Sequence, residues 1–365
     1  MPAPLRPDKF LAVVVAVLVL LGILMVWSAS AIMTLMNKGD SYYYLWRHLT
    51  LAGIGTIALL TGYMVDYTRY QRWAFKLFLL TIVFLVLVLL PWFGRSTAGV
   101  DRWFQFGPIN FQPSELAKLT AVMFLSASIT VSGPRLRDFG GGLLPNLIFI
   151  GLACLLIIIE PDLGSTICIF TISMIFLYLG GARLKHLMGV LAGGGVVLLI
   201  SLYLKPYQLE RISIFLDPEK DPGGKGFQII QSMVALGHGG LNGLGFGDGW
   251  QKLFFLPAAH TDFVLAVIGE EMGFMGILFV AILFSLVAWR GFGISLGAPD
   301  TFGRYLALGL TITIVFQAMI NAGVVLGLLP TKGLTMPFLS YGGSSLAVNL
   351  FAVGILLNIS QYRRA

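Results

Sequence analysis

Four groups of polar residues stand where an apolar chain should not carry them, and each suggests a chemistry. The first lies in Phe111-Gln112-Pro113-Ser114-Glu115-Leu116-Ala117-Lys118. Pro113 suits the first position of a helix, and the three-residue spacing then puts Glu115 and Lys118 on one face. Glu115 alone would complement the positive end of the helix dipole, but a lysine so near that end is disfavoured. The lysine therefore calls for a functional reason. The second group, Glu160-Pro161-Asp162, reads as a tight hairpin turn with Asp162 capping the next helix. The third is Pro257-Ala258-Ala259-His260-Thr261-Asp262-Phe263, where Asp262 or Thr261 is either an N-cap or a reacting group. The fourth is Glu270-Glu271. Adjacent helical positions point about 100° apart, so both carboxylates avoid lipid only on a helix surrounded by protein. They are structural acceptors, or one of them is catalytic.

Other chemistries find no support. The glycines from Gly237 to Gly249 lack the lysine-serine ending of a phosphate-binding loop. His48, His186, His238 and His260 are scattered, with no pair at metal-ligand spacing. Cys154 and Cys168 fall in apolar stretches, where a thiol behaves as a small hydrophobe. The net charge of +7 is spread singly through short loops rather than gathered into a patch, which argues against nucleic acid as a partner.

What must position these groups is a membrane bundle. The 365 residues are 57% hydrophobic and 11% charged, against about 25% charged in ordinary soluble domains. The apolar residues come in stretches of the length a helix needs to cross about 30 Å of hydrocarbon. Apolar runs and polar breaks predict an all-α integral membrane protein, a single polytopic domain over residues 1–365. It has ten transmembrane helices near 10–33, 47–65, 75–93, 113–131, 143–159, 163–180, 187–204, 263–289, 303–327 and 343–361. The first stretch is too long for a signal-peptide core and is read as a retained helix. With a cytoplasmic N-terminus, the inner loops hold Arg69, Arg72, Lys76, Arg135, Arg137, Arg183, Lys185, Arg290 and Arg304, and the C-terminus ends in Arg363-Arg364. The turn at 160–162 has no cation, and the last outer loop has only Lys332. Both termini are therefore expected in the cytoplasm.

That orientation puts one long loop, residues 205–262, outside, between helices seven and eight. Lys205 to Leu216 has the pattern of an amphipathic surface helix that stops at Asp217-Pro218. A second short helix is expected from Gly226 to Leu236. Seven glycines follow between Gly237 and Gly249, which suits a tightly packed backbone.

These segments together resemble the SEDS family of shape, elongation, division and sporulation proteins, which includes FtsW and RodA. The carrying residues are Arg102-Trp103, Gln112 to Lys118, Glu160-Pro161-Asp162-Leu163-Gly164-Ser165, Gln251-Lys252-Leu253, His260-Thr261-Asp262-Phe263, Gly269-Glu270-Glu271 and Pro337 to Ser345. Thr331 to Thr335 and Gln251-Lys252-Leu253 look closer to the division member FtsW. His238, among the glycines, departs from the small residue more common there. The resemblance implies a bacterial cytoplasmic-membrane enzyme that polymerises glycan strands from lipid II. It also implies a class B penicillin-binding protein as partner, with other divisome or elongasome membrane proteins. Asp262 matches the family's catalytic candidate, and Glu115 and Lys118 match positions important for activity. Asp162, His260, Lys252, Glu270, Glu271 and Ser344 lie in matched segments and are expected to support the site or the substrate.

The chemistry such a reaction needs is modest. A sugar hydroxyl attacks an anomeric carbon whose leaving group, a lipid pyrophosphate, departs as an anion and needs little protonation. One carboxylate base can suffice, unlike hydrolysis of a sugar ether, which typically uses two. Asp262 would be that base, with Lys118, Arg102, Arg211 and glycine-loop amides as candidates to neutralise the pyrophosphate. A divalent cation, Mg2+ or Mn2+, could assist, but the sequence shows no dedicated cage. Two other classes compete: a flippase whose headgroup path is lined by Glu115, Lys118, Glu270 and Glu271, and a non-catalytic scaffold for a transpeptidase. Charges clustered at outer helix ends beside a long outer loop favour catalysis.

Overall fold

The computed structural model describes residues 6–90, 95–97, 100–106, 109–204, 206–224, 226–253, 255–331 and 333–363. Lys205, Lys332 and Arg364 lie outside the described residues. In chain order the helices are α1 (Lys9–Lys38), α2 (Tyr43–Met64), α3 (Tyr67–Val88), α4 (Pro113–Ser132), α5 (Leu144–Ile159), α6 (Leu163–Leu179), α7 (Leu184–Leu204), α8 (Pro206–Leu216), α9 (Phe227–Gly239), α10 (Val264–Gly297), α11 (Thr301–Val325) and α12 (Gly343–Ser360). Each of the ten expected spans overlaps one helix. The two short helices expected in the 205–262 loop are α8 and α9. Among the described residues, eight helices are long and apolar enough to cross a membrane, and α6 is an apolar helix of 17 residues. The remaining one, α2, has 22 residues but carries Arg47 and His48 near its start. It packs tightly on α12, where a side chain at Gly354 would meet the Leu59 carbonyl at 2.1 Å. Small residues permit such close helix approach.

Contacts between segments define the two ends of the bundle. At one end Arg290 pairs with Asp8, the Asp8 amide donates to Ser360, and the Tyr67 hydroxyl donates to Asp300. At the other end Gln112 reaches Asp162 and Ser344, Arg102 reaches the 160–161 carbonyls, and Tyr44, His260 and Tyr341 form one ring cluster. The four polar groups singled out in the sequence sit at or near this second end.

Two features depart from the sequence reading. Helix α3 ends at Val88 rather than near 93, and the chain before α4 contains a small antiparallel sheet of β1 (Arg95–Thr97), β2 (Val100–Phe106) and β3 (Ile109–Phe111) within an otherwise helical fold. The cause is a short alternation in β2: Phe104 is buried against Phe84 and Phe111, while Gln105 is exposed. Alternation over so few residues, beside an apolar helix, is a weak signal. The described part of the 205–262 loop therefore shares its end of the bundle with this sheet.

Helix α10 is interrupted at Gly273, whose backbone is in a non-helical region with φ 67°. The glycine segment is pressed into this kink. The Leu244 and Gly245 amides donate to the Glu270 and Glu271 carbonyls, and the Phe274 and Met275 amides donate to Gly240 and Leu241. A side chain at Gly243 would meet the Glu271 carbonyl at 2.1 Å, so only glycine allows the contact.

Candidate active site at the loop-bearing end

The expected pair on α4 is present. Pro113 opens the helix, and Lys118 Nζ lies 2.8 Å from Glu115 Oε1, both side chains being buried. Lys118 also donates to Gln317 Oε1 on α11 at 2.7 Å. Glu115 Oε2 is buried without a partner among the described residues, and the pair borders a cavity of about 10 Å³ also lined by Thr313, Gln317 and Asn349. That is close to the room one water needs. Lys118 is thus sealed from solvent, with its hydrogen bonds committed inside the bundle.

Asp162 caps α6 as expected, accepting from the Ser165 amide at 3.0 Å. Its other oxygen accepts from Gln112 Nε2 and Ser114 Oγ, both at 3.1 Å, so α6 and the start of α4 are tied together. Ser344 accepts the Gln112 amide at 3.1 Å and brings in the start of α12. Arg102 donates from Nε to the Glu160 carbonyl and from Nη2 to that of Pro161, holding the turn by its backbone. The Glu160 carboxyl oxygens are buried with no hydrogen-bond partner among the described residues. Burial, reinforced by Asp162 and opposed by Arg102, pushes this carboxyl up to about 9, so it is neutral at pH 7.

Asp262 is different. Helix α10 begins at Val264, and its N-cap, Phe263, makes no side-chain cap bond. The half-buried Asp262 carboxylate makes no hydrogen bond or ion pair among the described residues, and Thr261 Oγ1 only donates back to the Ala258 carbonyl. Neither residue caps the helix. Burial raises the Asp262 carboxyl to about 6, opposed by Arg211 and assisted by Asp162. Arg211, on α8, is half-buried and donates to the Thr331 carbonyl at 3.2 Å. His260 is wedged between Tyr44 and Tyr341, and burial brings it down to about 4, so it is uncharged at pH 7.

Glu270, Glu271 and Lys252 form a separate cluster. Glu270 Oε1 accepts the Trp250 and Gln251 amides at 2.8 and 3.0 Å. Lys252 Nζ lies 2.5 Å from Glu271 Oε1 and also donates to Ser28 Oγ on α1 and to the Gly247 carbonyl. All three side chains are buried. The cluster fastens the glycine segment to α10 and α1, and the loop amides of Gly243, Leu244 and Gly245 are already bonded to backbone. Among the described residues no three His, Cys, Asp or Glu side chains converge to hold a metal ion.

Sequence reading passed over two residues that join these groups, Gln317 and Asn321 on α11. Both are almost wholly buried. Asn321 Nδ2 donates to the Asp262 carbonyl at 2.9 Å and to that of Leu334 at 2.8 Å, while Gln317 Nε2 donates to the Thr335 carbonyl at 2.9 Å. The available signal was two amides four residues apart inside an apolar helix.

The family model for the FtsW, RodA and SpoVE cell cycle proteins matches residues 8–365. This chain belongs to that family. As a member, it is a multi-pass membrane protein. It is 44% identical to the probable peptidoglycan glycosyltransferase FtsW of Trichlorobacter lovleyi, over 97% of this chain and 93% of that one. It is 41% identical to the stage V sporulation protein E of Bacillus subtilis, over 98% of both. FtsW-named and sporulation-named relatives are thus almost equally similar. Among solved structures, one chain of a peptidoglycan synthase complex, described for its coordination of polymerization and crosslinking, superposes with a TM-score of 0.80 at 31% identity over 97% of both chains. The rod shape determining protein RodA of Thermus thermophilus gives 0.72 at 27% identity, over 98% of both.

Proposed function

We propose that this chain polymerises the glycan strand of peptidoglycan from lipid II at the outer face of the bacterial cytoplasmic membrane. It does so as one polytopic domain of ten membrane helices over residues 1–365, with a class B penicillin-binding protein as its crosslinking partner. Asp262 is the base. The acceptor hydroxyl oxygen forms the new bond to the anomeric carbon, its proton passes to the Asp262 carboxylate, and the bond to the lipid pyrophosphate breaks with the electron pair leaving on phosphate oxygen. The observation that carries this reading is the Asp262 carboxylate itself: among the described residues it takes no part in helix capping or hydrogen bonding, and burial tunes it to about 6. A base poised near the working pH is the efficient kind, contributing about 10²–10⁴-fold. Arg211, whose charge acts on Asp262, is the cation among the described residues assigned to the leaving pyrophosphate. Lys118, Arg102 and the Glu270–Glu271–Lys252 cluster support the frame, since their hydrogen bonds are committed within the protein.

Purified protein, with and without a class B penicillin-binding protein, is incubated with labelled lipid II. Glycan ladders from the parent and a rate lower by on the order of 10²-fold in folded Asp262→Asn support the reading. An active Asp262→Asn protein removes Asp262 from the chemistry, and lipid II translocation without ladders favours a flippase.

The orientation proposed here puts both termini in the cytoplasm and residues 205–262 outside, from the distribution of arginine and lysine. Cysteine placed at the exposed Glu219 should react with an impermeant thiol reagent in intact cells. Protection there, with labelling at the exposed Arg137, inverts the topology.

A further inference from the structure

We propose that Gln317 and Asn321, one helical turn apart on α11, are positioning residues that tie the buried Lys118–Glu115 pair to the backbone carrying Asp262. The inference rests on the reading of Asp262 as the base. Four hydrogen bonds make the path. Lys118 Nζ donates to Gln317 Oε1 at 2.7 Å, and Gln317 Nε2 donates to the Thr335 carbonyl at 2.9 Å. One residue earlier in the same strand of chain, the Leu334 carbonyl accepts from Asn321 Nδ2 at 2.8 Å, and the same nitrogen donates to the Asp262 carbonyl at 2.9 Å.

Chemistry fixes the direction of both amides. Asn321 faces two carbonyls, which only an NH2 can serve, and Gln317 faces an ammonium on one side and a carbonyl on the other. Ordinary glue between membrane helices would join helix to helix. Here three of the four bonds end on backbone carbonyls outside the helices, at Asp262, Leu334 and Thr335. The 333–335 segment also forms one wall of the Asp262 site: a side chain at Gly333 would stand 3.6 Å from Asp262 Oδ2, and one at Gly164 would meet Leu334 Cγ at 3.0 Å. A lysine sealed inside the bundle can therefore influence a carboxylate it does not touch. Arg211 on α8 and Asp162 ahead of α6 act on the same carboxylate from other directions, so a displaced Asp262 would meet altered charge as well as altered geometry.

The test uses the full-length protein and two readouts. The first is lipid II polymerisation, resolved into kcat and KM. The second is the pH dependence of carbodiimide modification at Asp262, read by peptide mass spectrometry, which needs no turnover. Gln317→Met and Asn321→Leu, near in size to the parent residues, should lower kcat on the order of 10²-fold with little change in KM. They should also shift the pH midpoint of Asp262 labelling. Lys118→Met should shift that midpoint too, and Lys118→Met combined with Gln317→Met should be no worse than either alone. Gln317→Glu keeps the acceptor for Lys118 while losing the donor to Thr335, and it should behave like Gln317→Met. If Gln317→Met or Asn321→Leu fails to fold, Gln317→Glu and Asn321→Ser carry the same measurements. Folded variants with rates within about twofold of the parent and an unchanged labelling midpoint overturn the proposal while leaving the reading of Asp262 intact. A parent that makes no glycan overturns that reading, and the labelling shift still decides whether these amides position Asp262.

Discussion

Two lysine–glutamate pairs are buried at the loop-bearing end of this molecule, and they are used differently. Lys252–Glu271 joins three distant parts of the chain: the glycine segment through Gly247, α10 through Glu271 and α1 through Ser28. Lys118–Glu115 lies within a single helix, borders a small cavity and passes its connection through Gln317 toward the Asp262 segment. A buried pair is weak evidence for net stability, because desolvation offsets the attraction. What each pair does is therefore decided by what else its lysine holds. The first closes a joint, and the proposed role of the second is to align the Asp262 site.

The sharpest way to break this comparison is to remove the pairs singly and then together. Lys252→Met and Lys118→Met should each cost about 3–5 kcal/mol, since each strands a buried carboxylate. Adding Glu271→Gln to the first should restore most of the stability and the polymerisation rate. Adding Glu115→Gln to the second should restore stability but not rate. Thermal unfolding and lipid II turnover on the four proteins check this, and equal recovery of rate in both doubles would erase the distinction.

Asp262 offers the next largest effect. As the proposed base it acts in its ionised form, so polymerisation should fall about tenfold per pH unit as pH drops below about 6. Stability runs the other way. The folded carboxyl is raised above its ordinary value of 3.8, so ionising it opposes folding, and stability is lost as pH rises through about 6. Asp262→Asn should therefore melt higher than the parent at pH 8 and no higher at pH 4. A lower melting temperature at pH 8 would mean that the carboxylate stabilises the fold.

Smaller effects test the frame around these sites. Glu270→Gln should cost about 1.5–3 kcal/mol by weakening a charged acceptor of two amides, with polymerisation per folded molecule unchanged. Arg102→Lys, which loses the fork on the Glu160 and Pro161 carbonyls, should cost about 1 kcal/mol. A selective rate loss in Glu270→Gln would move the second cluster from frame to chemistry.

The membrane architecture was legible in the sequence because a helix that crosses hydrocarbon must satisfy its backbone internally and cover a set length. Both demands leave long apolar runs with charged breaks. The i,i+3 spacing of Glu115 and Lys118 was legible for the same local reason, as was the cap at Asp162. The sequence could not say whether Asp262 caps α10, because aspartate ahead of a helix looks the same in either role. Only the folded chain, by starting α10 at Val264 with Phe263 ahead of it, showed that Asp262 does not cap it. Nor could it show that Lys252 belongs with Ser28 and Glu271, 224 and 19 residues away in sequence. Arg102 likewise turned out to hold carbonyls 58 and 59 residues along the chain. Local periodicity determines which residues face the interior, because it depends on helix geometry alone. Which buried groups meet depends on packing between elements far apart in the chain, and only the tertiary structure decides that.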